Sequence, residues 1–364
     1  MVRKVIKIIC MAISILVVLL FLLTCLTPFL SPQKVWFIGF CGLITPHLIF
    51  ILLLSIIFWL IAKPKLALLP VITLLIGYKQ IQTVFAFHIK ESFTNEKKAN
   101  TIRIVDWNVR SFLGLSKNKE TKKHIKENIV QSILTLQPDI ICMQEFNNIP
   151  VTADNISLFT KTHPYYFFSE DYSRKDGYRS GCIIFSKHPI IQFNKTKYPV
   201  AESLIYADVV KGEDTIRFYT THLQSFKFKK QDYDDIEKIK QQEEDVLIAS
   251  KNIFYKMRLA FKRRATQTDI VTTETAKSPY PSIICGDFND VPNSYTYFKI
   301  KSTNRQDAFL QKSFGIGRTF NSLASTLRID YILPTNNFTV QQFGLIDEGY
   351  SDHSMLVSDI QLKK

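Results

Sequence analysis

Two short segments place carboxylates or amides at the mouth of an apolar run. Ile283-Ile284-Cys285 leads into Gly286-Asp287-Phe288-Asn289-Asp290, and Ser351-Asp352-His353-Ser354 follows later in the chain. Because side chains alternate along a strand, Asp287 and Asn289 can project to the same side of a sheet. An acid beside an amide suits the holding of a water molecule or of a metal-bound phosphate oxygen. Hydrolysis at phosphorus is therefore the leading hypothesis.

Further stretches share this design of an apolar run that ends in polar, metal-competent or proton-transferring side chains. They are Asp106-Trp107-Asn108-Val109-Arg110, Gln144-Glu145, Gly181 to Ser186, Thr221-His222-Leu223 and Arg328-Ile329-Asp330-Tyr331. One such group is common at the edge of a sheet. Their ordered recurrence within a single region is hard to explain by chance.

Taken in order, the series WNV, QE, THL, GDFND, RIDYI and SDHS resembles the motifs of the endonuclease/exonuclease/phosphatase family. That family includes deoxyribonucleases, abasic-site endonucleases, inositol polyphosphate 5-phosphatases and neutral sphingomyelinases. The resemblance covers roughly residues 101–362. It implies an α/β fold, a four-layer sandwich of two packed mixed β-sheets flanked by helices, and hydrolysis of phosphoric ester bonds.

The resemblance also implies a role for each catalytic candidate. His353 matches the general base that takes a proton from the attacking water, a task that an imidazole pKa near 6.5 suits. Asp330 matches the acid that orients this imidazole, and Asp287 matches the acid that positions or deprotonates the water. The division of work between Asp287 and His353 stays open. Asn289 would orient the water, and His222 would donate to the phosphate and offset negative charge in the transition state.

The implied cofactor is Mg²⁺, with Mn²⁺ as a second option. Magnesium prefers oxygen ligands and keeps several waters. Glu145 matches the principal metal-binding glutamate, Asn108 an amide that supports the metal or a phosphate oxygen, and Asp352 a further carboxylate. Arg110 stands where the abasic-site endonucleases have an acidic residue, which removes one ligand of a second ion. The use of one ion or two stays open.

Residues 176–181 form a loop that is a weaker candidate for substrate binding. Tyr178 or Arg179 would reach the phosphate from this loop. The alternative is a turn that simply uses Gly177.

The first 90 residues differ from the rest in charge. They carry eight Lys and Arg and no Asp or Glu, so subtracting these eight from the formal +14 leaves +6 for the remainder. Ile8–Gln33 and Val35–Ala62 carry no charged side chain, and each is long enough to span a bilayer. A cleaved signal peptide is disfavoured because a second apolar run follows directly.

We predict about three transmembrane helices, at about 8–30, 36–62 and 66–87. The third includes Lys79, and a two-span alternative stays open. The positive-inside rule places the N-terminus and Lys63–Lys65 in the cytoplasm. Three spans make a multi-pass cell-membrane protein with an extracytoplasmic catalytic domain, whereas two spans leave that domain in the cytoplasm.

Residues 91–100 are predicted to be a linker, and residues 101–364 the catalytic domain. Predicted strands are Ile102–Asn108, Ile140–Gln144, Tyr165–Phe168, Cys182–Ser186, Leu204–Val210, Thr215–His222, Ser282–Gly286 and Tyr331–Leu333. A helix is predicted at Glu120–Leu136, and a charged helical insertion at about 226–277. In that insertion Lys256, Arg258, Lys262, Arg263 and Arg264 either meet phosphates or anionic lipid, or form a solvated face.

The resulting hypothesis is a membrane-anchored, Mg-dependent phosphoesterase that hydrolyses a phosphodiester of nucleic acid or of a lipid head group. The bilayer is its partner through the N-terminal helices, nucleic acid is a possible substrate, and no obligate protein partner is evident. One alternative is a phosphomonoesterase that acts on a phosphorylated small molecule or lipid. Another is a catalytically idle, membrane-anchored binding module of the same fold.

Overall fold

The structure is a computed structural model that describes residues 2–89, 93–115, 119–241 and 246–363. Residues 90–92, at the start of the predicted linker, and residues 242–245, inside the predicted helical insertion, lie outside the described residues.

The N-terminal region is a small helical bundle. Its helices are α1 Val2–Thr24, α2 Ile38–Ala62, α3 Leu68–Ile76 and α4 Tyr78–Val84, with a 3₁₀ turn at Pro64–Ala67 between α2 and α3. Within the described residues, α1 and α2 are long and apolar enough to cross a membrane. Among their apolar side chains, Trp59 Nε1 donates to Ser14 Oγ at 3.0 Å, and Ser14 Oγ lies 2.9 Å from Ser55 Oγ. These bonds satisfy polar groups that lipid cannot.

The third predicted helix, at 66–87, is not one continuous helix. It is divided into α3 and α4, which are bent by 66° at Gly77, and the chain is already extended at Ala86–Phe87. Glycine fits this position because a Cβ would lie 2.2 Å from Cε1 of Phe21 in α1. Glycine also weakens a helix interior relative to alanine. The bent pair counts as a third crossing only if α3 and α4 together form one span.

The remainder of the chain forms two large sheets and several helices. The strands are β1 Ala86–Phe87, β2 Ile102–Asn108, β3 Ile140–Asn148, β4 Tyr165–Phe168, β5 Tyr172–Ser173, β6 Arg179–Ser186, β7 Ile190–Lys197, β8 Ser203–Lys211, β9 Asp214–His222, β10 Ser282–Asp287, β11 Phe314–Gly315, β12 Asp330–Pro334, β13 Phe338–Ile346 and β14 Met355–Leu362. The helices are α5 Lys119–Thr135, α6 Ser157–Thr160, α7 Lys230–Gln241, α8 Val246–Ala276, α9 Tyr295–Lys301 and α10 Ala308–Lys312, with a 3₁₀ turn at Arg110–Phe112.

One sheet has the strand order β13-β14-β2-β3-β6-β4, with β5 also paired to β6, and the other has the order β12-β10-β9-β8-β7. Both sheets are mixed, because β2 and β3 are parallel, β9 and β10 are parallel, and their other pairings are antiparallel. A short third sheet pairs β1 with β11.

Alternating side chains of the strands fill the layers on both sides of each sheet. Ile104 and Cys142 point into the core between the two sheets, where they pack with Phe218 and Ile283. Their neighbours Val105 and Ile141 point the other way and pack with Ile125, Ile129 and Ile133 of α5. On the outer face of the second sheet, Tyr219 and Ile284 pack with Val271 of α8 and Ile300 of α9. Strands that are covered on both faces have nearly continuous apolar sequences, and the central strands of both sheets show this pattern. The predicted sandwich of two packed sheets flanked by helices is confirmed.

The helical bundle packs directly on the part of the chain that forms the two large sheets. Asn293 Nδ2 donates to Thr45 Oγ1 at 2.8 Å and to the Thr24 carbonyl at 3.3 Å, and its Oδ1 accepts from Thr27 Oγ1 at 3.2 Å. A Cβ on Gly42 would lie 2.6 Å from the Asn293 carbonyl oxygen, so α2 touches this loop backbone to backbone. At the same end of the bundle, Arg328 Nη2 donates to the Thr83 carbonyl at 2.7 Å.

Candidate active site

The ends of four central strands bring the polar motifs to one rim. Asn108 is the last residue of β2. Its register partner on the parallel neighbouring strand β3 is Gln144, and Glu145 is the next residue of β3. In the second sheet His222 and Asp287 are register partners at the ends of the parallel strands β9 and β10. Asp330 begins the antiparallel strand β12 opposite Asp287. Parallel strands deliver their carboxyl ends to one edge, which explains why motifs far apart in sequence meet here.

Asp287 lies at the centre of this cluster and is buried. Its Oδ2 accepts from Asn108 Nδ2 at 3.1 Å, and lies 3.4 Å from His222 Nε2 and 3.7 Å from His353 Nε2. Burial and the facing Asp330 carboxylate raise the pKa of Asp287, and the two histidines oppose that shift. A carboxyl group with a raised pKa is suited to accept a proton near neutral pH.

His353 and Asp330 form a buried pair. His353 Nδ1 lies 3.0 Å from both carboxylate oxygens of Asp330. Burial lowers the pKa of His353, but the carboxylates of Asp330 and Asp287 outweigh it and raise the pKa well above its usual range. The imidazolium form is therefore favoured in this arrangement, with Nε2 directed at the cluster. Trp107 Nε1 donates to the His353 carbonyl at 2.8 Å and fixes the backbone of this segment.

His222 lies between three carboxylates. Its Nε2 is 3.8 Å from Glu145 Oε1, and its Nδ1 is 3.6 Å from Glu202 Oε1. Burial lowers the pKa of His222, but Glu202, Asp287 and Glu145 together raise it above its usual value. Burial likewise raises the pKa of Glu202. Glu202 belongs to no motif in the sequence, and its neighbours Ala201 and Ser203 give no signal for it.

Glu145 and Asn108 form the part of the cluster that fits a hard cation. Asn108 Nδ2 lies 3.3 Å from Glu145 Oε1, and the Glu145 side chain is 39% exposed, open to the adjoining cavity. Asn108 is buried. Glu145 and Asp287 offer carboxylate oxygens, the ligands that magnesium and manganese take. The Asn108 amide faces them with Nδ2, while its Oδ1 accepts from the Arg110 backbone N–H at 3.0 Å. Ligand atoms of Asp287, Asp330 and His353 also lie within 4.8 Å of one another.

Gln144 explains why Gln-Glu follows the apolar run of β3. Its Nε2 donates to Asp106 Oδ1 at 2.8 Å and to Thr220 Oγ1 at 2.9 Å, so it joins β2 and β9 across the two sheets. Burial raises the pKa of Asp106 well above its usual range, so this bridge does not place a full negative charge in the core. The bridge holds the two halves of the rim together directly behind Glu145.

Asn289 and Arg264 shape the loop after Asp287. The backbone N–H of Asn289 donates to Asp287 Oδ1 at 2.7 Å, and the side-chain Nδ2 of Asn289 donates to the Leu223 carbonyl at 3.0 Å. Arg264 is completely buried, donates to the Asn289 carbonyl and lies 3.3 Å from Asp290 Oδ2. The basic cluster of the insertion suggested a phosphate-binding surface as one option. Because Arg264 is buried, it is not part of such a surface. In the same cluster Lys256 pairs with Asp232 and Arg258 lies over the Trp36 ring.

Three predicted site residues lie apart from the central contacts. Arg179 Nη1 pairs with Glu170 Oε2 at 2.6 Å, and the Tyr178 ring packs under the Arg174 guanidinium. Within the described residues neither touches the acidic cluster, because the loop closes as a turn at Gly177 with φ +84°. Asp352 borders the cavity, but its Oδ2 faces Arg110 Nε at 3.5 Å.

A cavity of about 170 Å³ opens beside the cluster. One part of its wall is the polar cluster itself, with Glu145, His222, Asp287 and His353. The other part is apolar and includes residues of α2 and of the segments 226–233 and 320–329, namely Leu43, Phe226, Phe228, Tyr233, Phe320, Leu323, Leu327 and Ile329.

Comparison with known proteins agrees with this arrangement. A model of the Endonuclease/Exonuclease/phosphatase family matches residues 107–353, and a model of a domain of unknown function matches residues 4–84. Protein angel of Drosophila melanogaster is 22% identical over 211 residues. That match covers 54% of this chain and 54% of the relative, so the chain spans about half the length of that protein.

Solved structures share the fold at low sequence identity. An endonuclease/exonuclease/phosphatase from Beutenbergia cavernae has a TM-score of 0.52 and 18% identity, covering 72% of each chain. The human Nocturnin catalytic domain has a TM-score of 0.51 and 18% identity, covering 73% of this chain and 95% of that one. Humanized TDP2 of D. rerio has a TM-score of 0.50 and 17% identity, covering 72% of this chain and 100% of that one.

Proposed function

Because the chain belongs to the endonuclease/exonuclease/phosphatase family, we propose that it is a membrane-anchored, metal-dependent phosphoesterase that cleaves a phosphodiester by attack of water. The observation that carries this proposal is the position of the Asp287 carboxylate. It lies within 3.1–3.7 Å of an amide and two imidazoles at the shared rim of both sheets. Such a cluster can hold a water molecule and a phosphate group side by side.

Glu145 and Asn108 would hold the divalent cation, Mg²⁺ or Mn²⁺, with Asp287 next to it. When bound, the cation neutralises phosphate charge and polarises the phosphorus centre. Asp352 is a third candidate ligand that would first have to leave Arg110. The carboxylate oxygens of Glu145 and Asp287 at the cavity support this choice, whereas Asn108 faces both carboxylates with Nδ2 and would have to turn its amide to offer Oδ1.

Asp287 is the better of the two candidates for the group that takes the proton from water. Its pKa is raised, whereas the pair with Asp330 keeps the proton on His353. His353 Nε2–H and His222 Nε2–H then donate to phosphate oxygens, where negative charge grows in the transition state. Asp330 orients His353, and Asn289 holds the loop that carries Asp287 through its bond to Leu223. Tyr178 and Arg179 have no assigned role in this scheme.

Hydrolysis of bis(p-nitrophenyl) phosphate by the full chain in detergent with Mg²⁺ tests this function. His353→Ala and Glu145→Ala should each lower kcat by about 10²-fold or more. Matched controls are His88→Ala and Glu348→Ala, since both side chains are exposed. Equal rates for wild type and the two site variants would remove these residues from the mechanism. If calorimetry detects no binding of Mg²⁺ or Mn²⁺, the hypothesis of a catalytically idle binding module is favoured.

For the membrane arrangement we propose three crossings, with the catalytic domain on the side opposite to the N-terminus. Lys7 Nζ donates to the Ala62 carbonyl at 3.1 Å, which groups Lys7 with Lys63 and Lys65 at one end of the bundle. Thr24, Thr45 and Thr83 contact the catalytic half at the other end. The positive-inside rule supports a cytoplasmic position for the lysine end.

A reporter-enzyme fusion after residue 95 tests this topology. A reporter that is active only outside the cytoplasm should be active, and a cytoplasm-only reporter should be silent. The matched control is a fusion after Lys65, for which the opposite result is expected. Cytoplasmic activity at residue 95 would rule out the three-crossing arrangement.

A further inference from the structure

The catalytic cavity is partly built by the membrane region itself. Leu43, from the first turns of α2, lines the same cavity as Glu145, Asp287 and His353. The loop that follows Asp287 is fixed to both long helices through Asn293, which bonds to Thr24, Thr27 and Thr45. The site is therefore held against the helices rather than suspended above them on a linker.

The depth of Leu43 follows from the geometry of α2. Ala62 ends this helix and Lys63 follows it, so Ala62 marks one boundary of the apolar layer. A hydrocarbon layer of about 30 Å corresponds to about 20 helical residues at 1.5 Å each. Counting back from Ala62 by that length reaches Leu43. The cavity wall thus lies at the opposite boundary, which is the level of the lipid head groups.

The other long helix gives a similar depth. Lys7 lies beside Ala62 through its bond to the Ala62 carbonyl. From Lys7 to the end of α1 at Thr24 the helix rises by about 26 Å at 1.5 Å per residue, and the turn that follows carries Thr27. Thr27 Oγ1 bonds to Asn293 Oδ1, four residues after Asn289. Both helices therefore bring the catalytic loop to the same boundary.

The chemistry of the cavity is amphiphilic. Its polar side carries the groups that suit a phosphate. Its other side carries the aliphatic side chains of Leu43, Leu323 and Leu327 beside aromatic rings of the segments 226–233 and 320–329, together with Lys227. Beyond Leu43, α2 exposes Ile44, Phe50 and Leu53 on its surface, so the apolar wall continues towards the surface that faces the acyl chains. This continuation is what favours a lipid, since aromatic rings beside a cation would also suit the bases of a single-stranded nucleic acid.

We propose that the substrate is a phospholipid of the membrane in which the protein is anchored. This inference rests on the proposed function. The phosphodiester would lie at Glu145, Asp287 and His353, and the apolar part would lie along Leu43 and Leu323. Water forms a new P–O bond, one ester P–O bond breaks, and the leaving oxygen takes up a proton. The products are an alcohol and a phosphomonoester, one of which keeps the acyl chains.

The test uses the full chain in mixed micelles with Mg²⁺ and four substrates. These are phosphatidylcholine, sphingomyelin, water-soluble bis(p-nitrophenyl) phosphate and a single-stranded oligodeoxynucleotide. Wild type should cleave at least one of the two lipids with a kcat/KM at least tenfold above that for the oligonucleotide. The two lipid arms distinguish a glycerol from a sphingoid backbone.

Variants of the apolar wall make the test specific. Leu43→Gln should lower the ratio of lipid to soluble-diester hydrolysis by about tenfold, the scale of a lost apolar pocket contact. Leu323→Gln should do the same from a loop outside the bundle, which guards against a helix that fails to insert. Leu60→Gln is the matched control on α2, because its side chain is exposed on the bundle surface near the end of the helix opposite to the cavity. The ratio for this control should stay within twofold of wild type.

The outcomes separate the two proposals. Cleavage of the soluble diester without cleavage of either lipid would overturn the lipid substrate and leave the phosphoesterase intact. Preferred cleavage of the oligonucleotide would overturn the phospholipid proposal and indicate a nucleic acid substrate. An unchanged ratio in both wall variants would also overturn it. No hydrolysis of any substrate would refute the phosphoesterase itself.

Discussion

At the scale of single residues, the site depends on a chain of contacts that begins outside it. Arg328 pairs with Asp307 at 2.6 Å and, through Nη2, binds the Thr83 carbonyl. Two residues later, Asp330 orients His353, and His353 faces Asp287. Arg328 is completely buried, so its position is fixed by these partners. The orientation of the imidazole is therefore connected to the end of α4 through one arginine and one aspartate.

Asp330→Asn should reduce kcat for bis(p-nitrophenyl) phosphate by about 10²-fold with little change in KM, because His353 loses its anionic partner and the preference for the charged form. Steady-state kinetics of the full chain in detergent measures this. Asp347→Asn, which changes an exposed carboxylate, is the matched control. A kcat within twofold of wild type for Asp330→Asn would show that the pair has no part in the reaction.

The motif residues at the rim could be predicted from the sequence, because each stands at one end of a recognisable apolar run: Asn108, Glu145, His222 and Asp287 after it, Asp330 and His353 before it. Glu202 and Arg264 could not. Glu202 approaches His222 from a loop, and its contact depends on the folding of β8 beside β9. Arg264 looks like one more cation in a basic helix, and only the packing of α8 under the Asn289 loop buries it. Contacts between distant segments leave no pattern in a single sequence.

At the scale of elements, the strands of continuous apolar residues were predictable and the others were not. Strands β2 and β4 have the predicted bounds, and β3, β6, β8, β9, β10 and β12 extend the predicted ones by one to four residues at either end. Strand β7 was missed because it is a largely exposed edge strand. Strands β13 and β14 were missed because their buried faces include Gln342, Ser358 and Asp359. These polar groups are satisfied by partners far away in sequence, such as Arg103 for Asp359.

The turn between α6 and β4 should make stability depend on pH through His163. This buried ring lies 3.0 Å from the Pro138 carbonyl and 2.9 Å from Thr162 Oγ1. Burial lowers the pKa of His163 to about 4, although the bond to Pro138 opposes that shift. The folded state thus resists protonation that the unfolded state accepts. The contribution of neutral His163 to the free energy of unfolding is therefore complete above about pH 6.5. It is lost as the pH falls towards 4, and the total loss is about 3 kcal/mol.

Unfolding measurements at pH 7.5 and 4.5 on wild type and His163→Gln check this. Between pH 7.5 and 4.5 the free energy of unfolding of the variant should fall by about 2 kcal/mol less than that of wild type, although the variant is less stable at pH 7.5. His88→Gln, at an exposed position, should keep the wild-type difference between the two pH values. Identical acid sensitivity in wild type and His163→Gln would contradict the prediction.

At the scale of the whole molecule, the bundle and the catalytic half share an interface of mixed character. Phe40 packs on Phe261 at 5.0 Å between ring centroids, and Gly42 lies against the Asn293 backbone. Strand β1 pairs with β11 at the end of the bundle. Removal of the helices would expose Phe261, Val291 and the edge of β11 together with polar groups that lose their partners.

A fragment that begins at residue 93 should therefore associate in solution without detergent, since exposed apolar patches and free strand edges promote aggregation. Size-exclusion chromatography with light scattering measures this, with the full chain in detergent as the reference. Phe261→Gln with Val291→Asn in the same fragment should reduce the association. A monomeric fragment that unfolds at the temperature of the full chain would contradict a structural role for the interface.

The contacts of Thr83 with Arg328 and of Thr24 with Asn293 join residues that are 245 and 269 positions apart in the chain. The helices are synthesised first, yet these carbonyl groups meet their partners only after nearly the whole chain has been made. Contacts of such long range form slowly. The order of synthesis therefore separates formation of the helices from completion of the rim, and the nascent chain has a period in which the helices are present but the site is not.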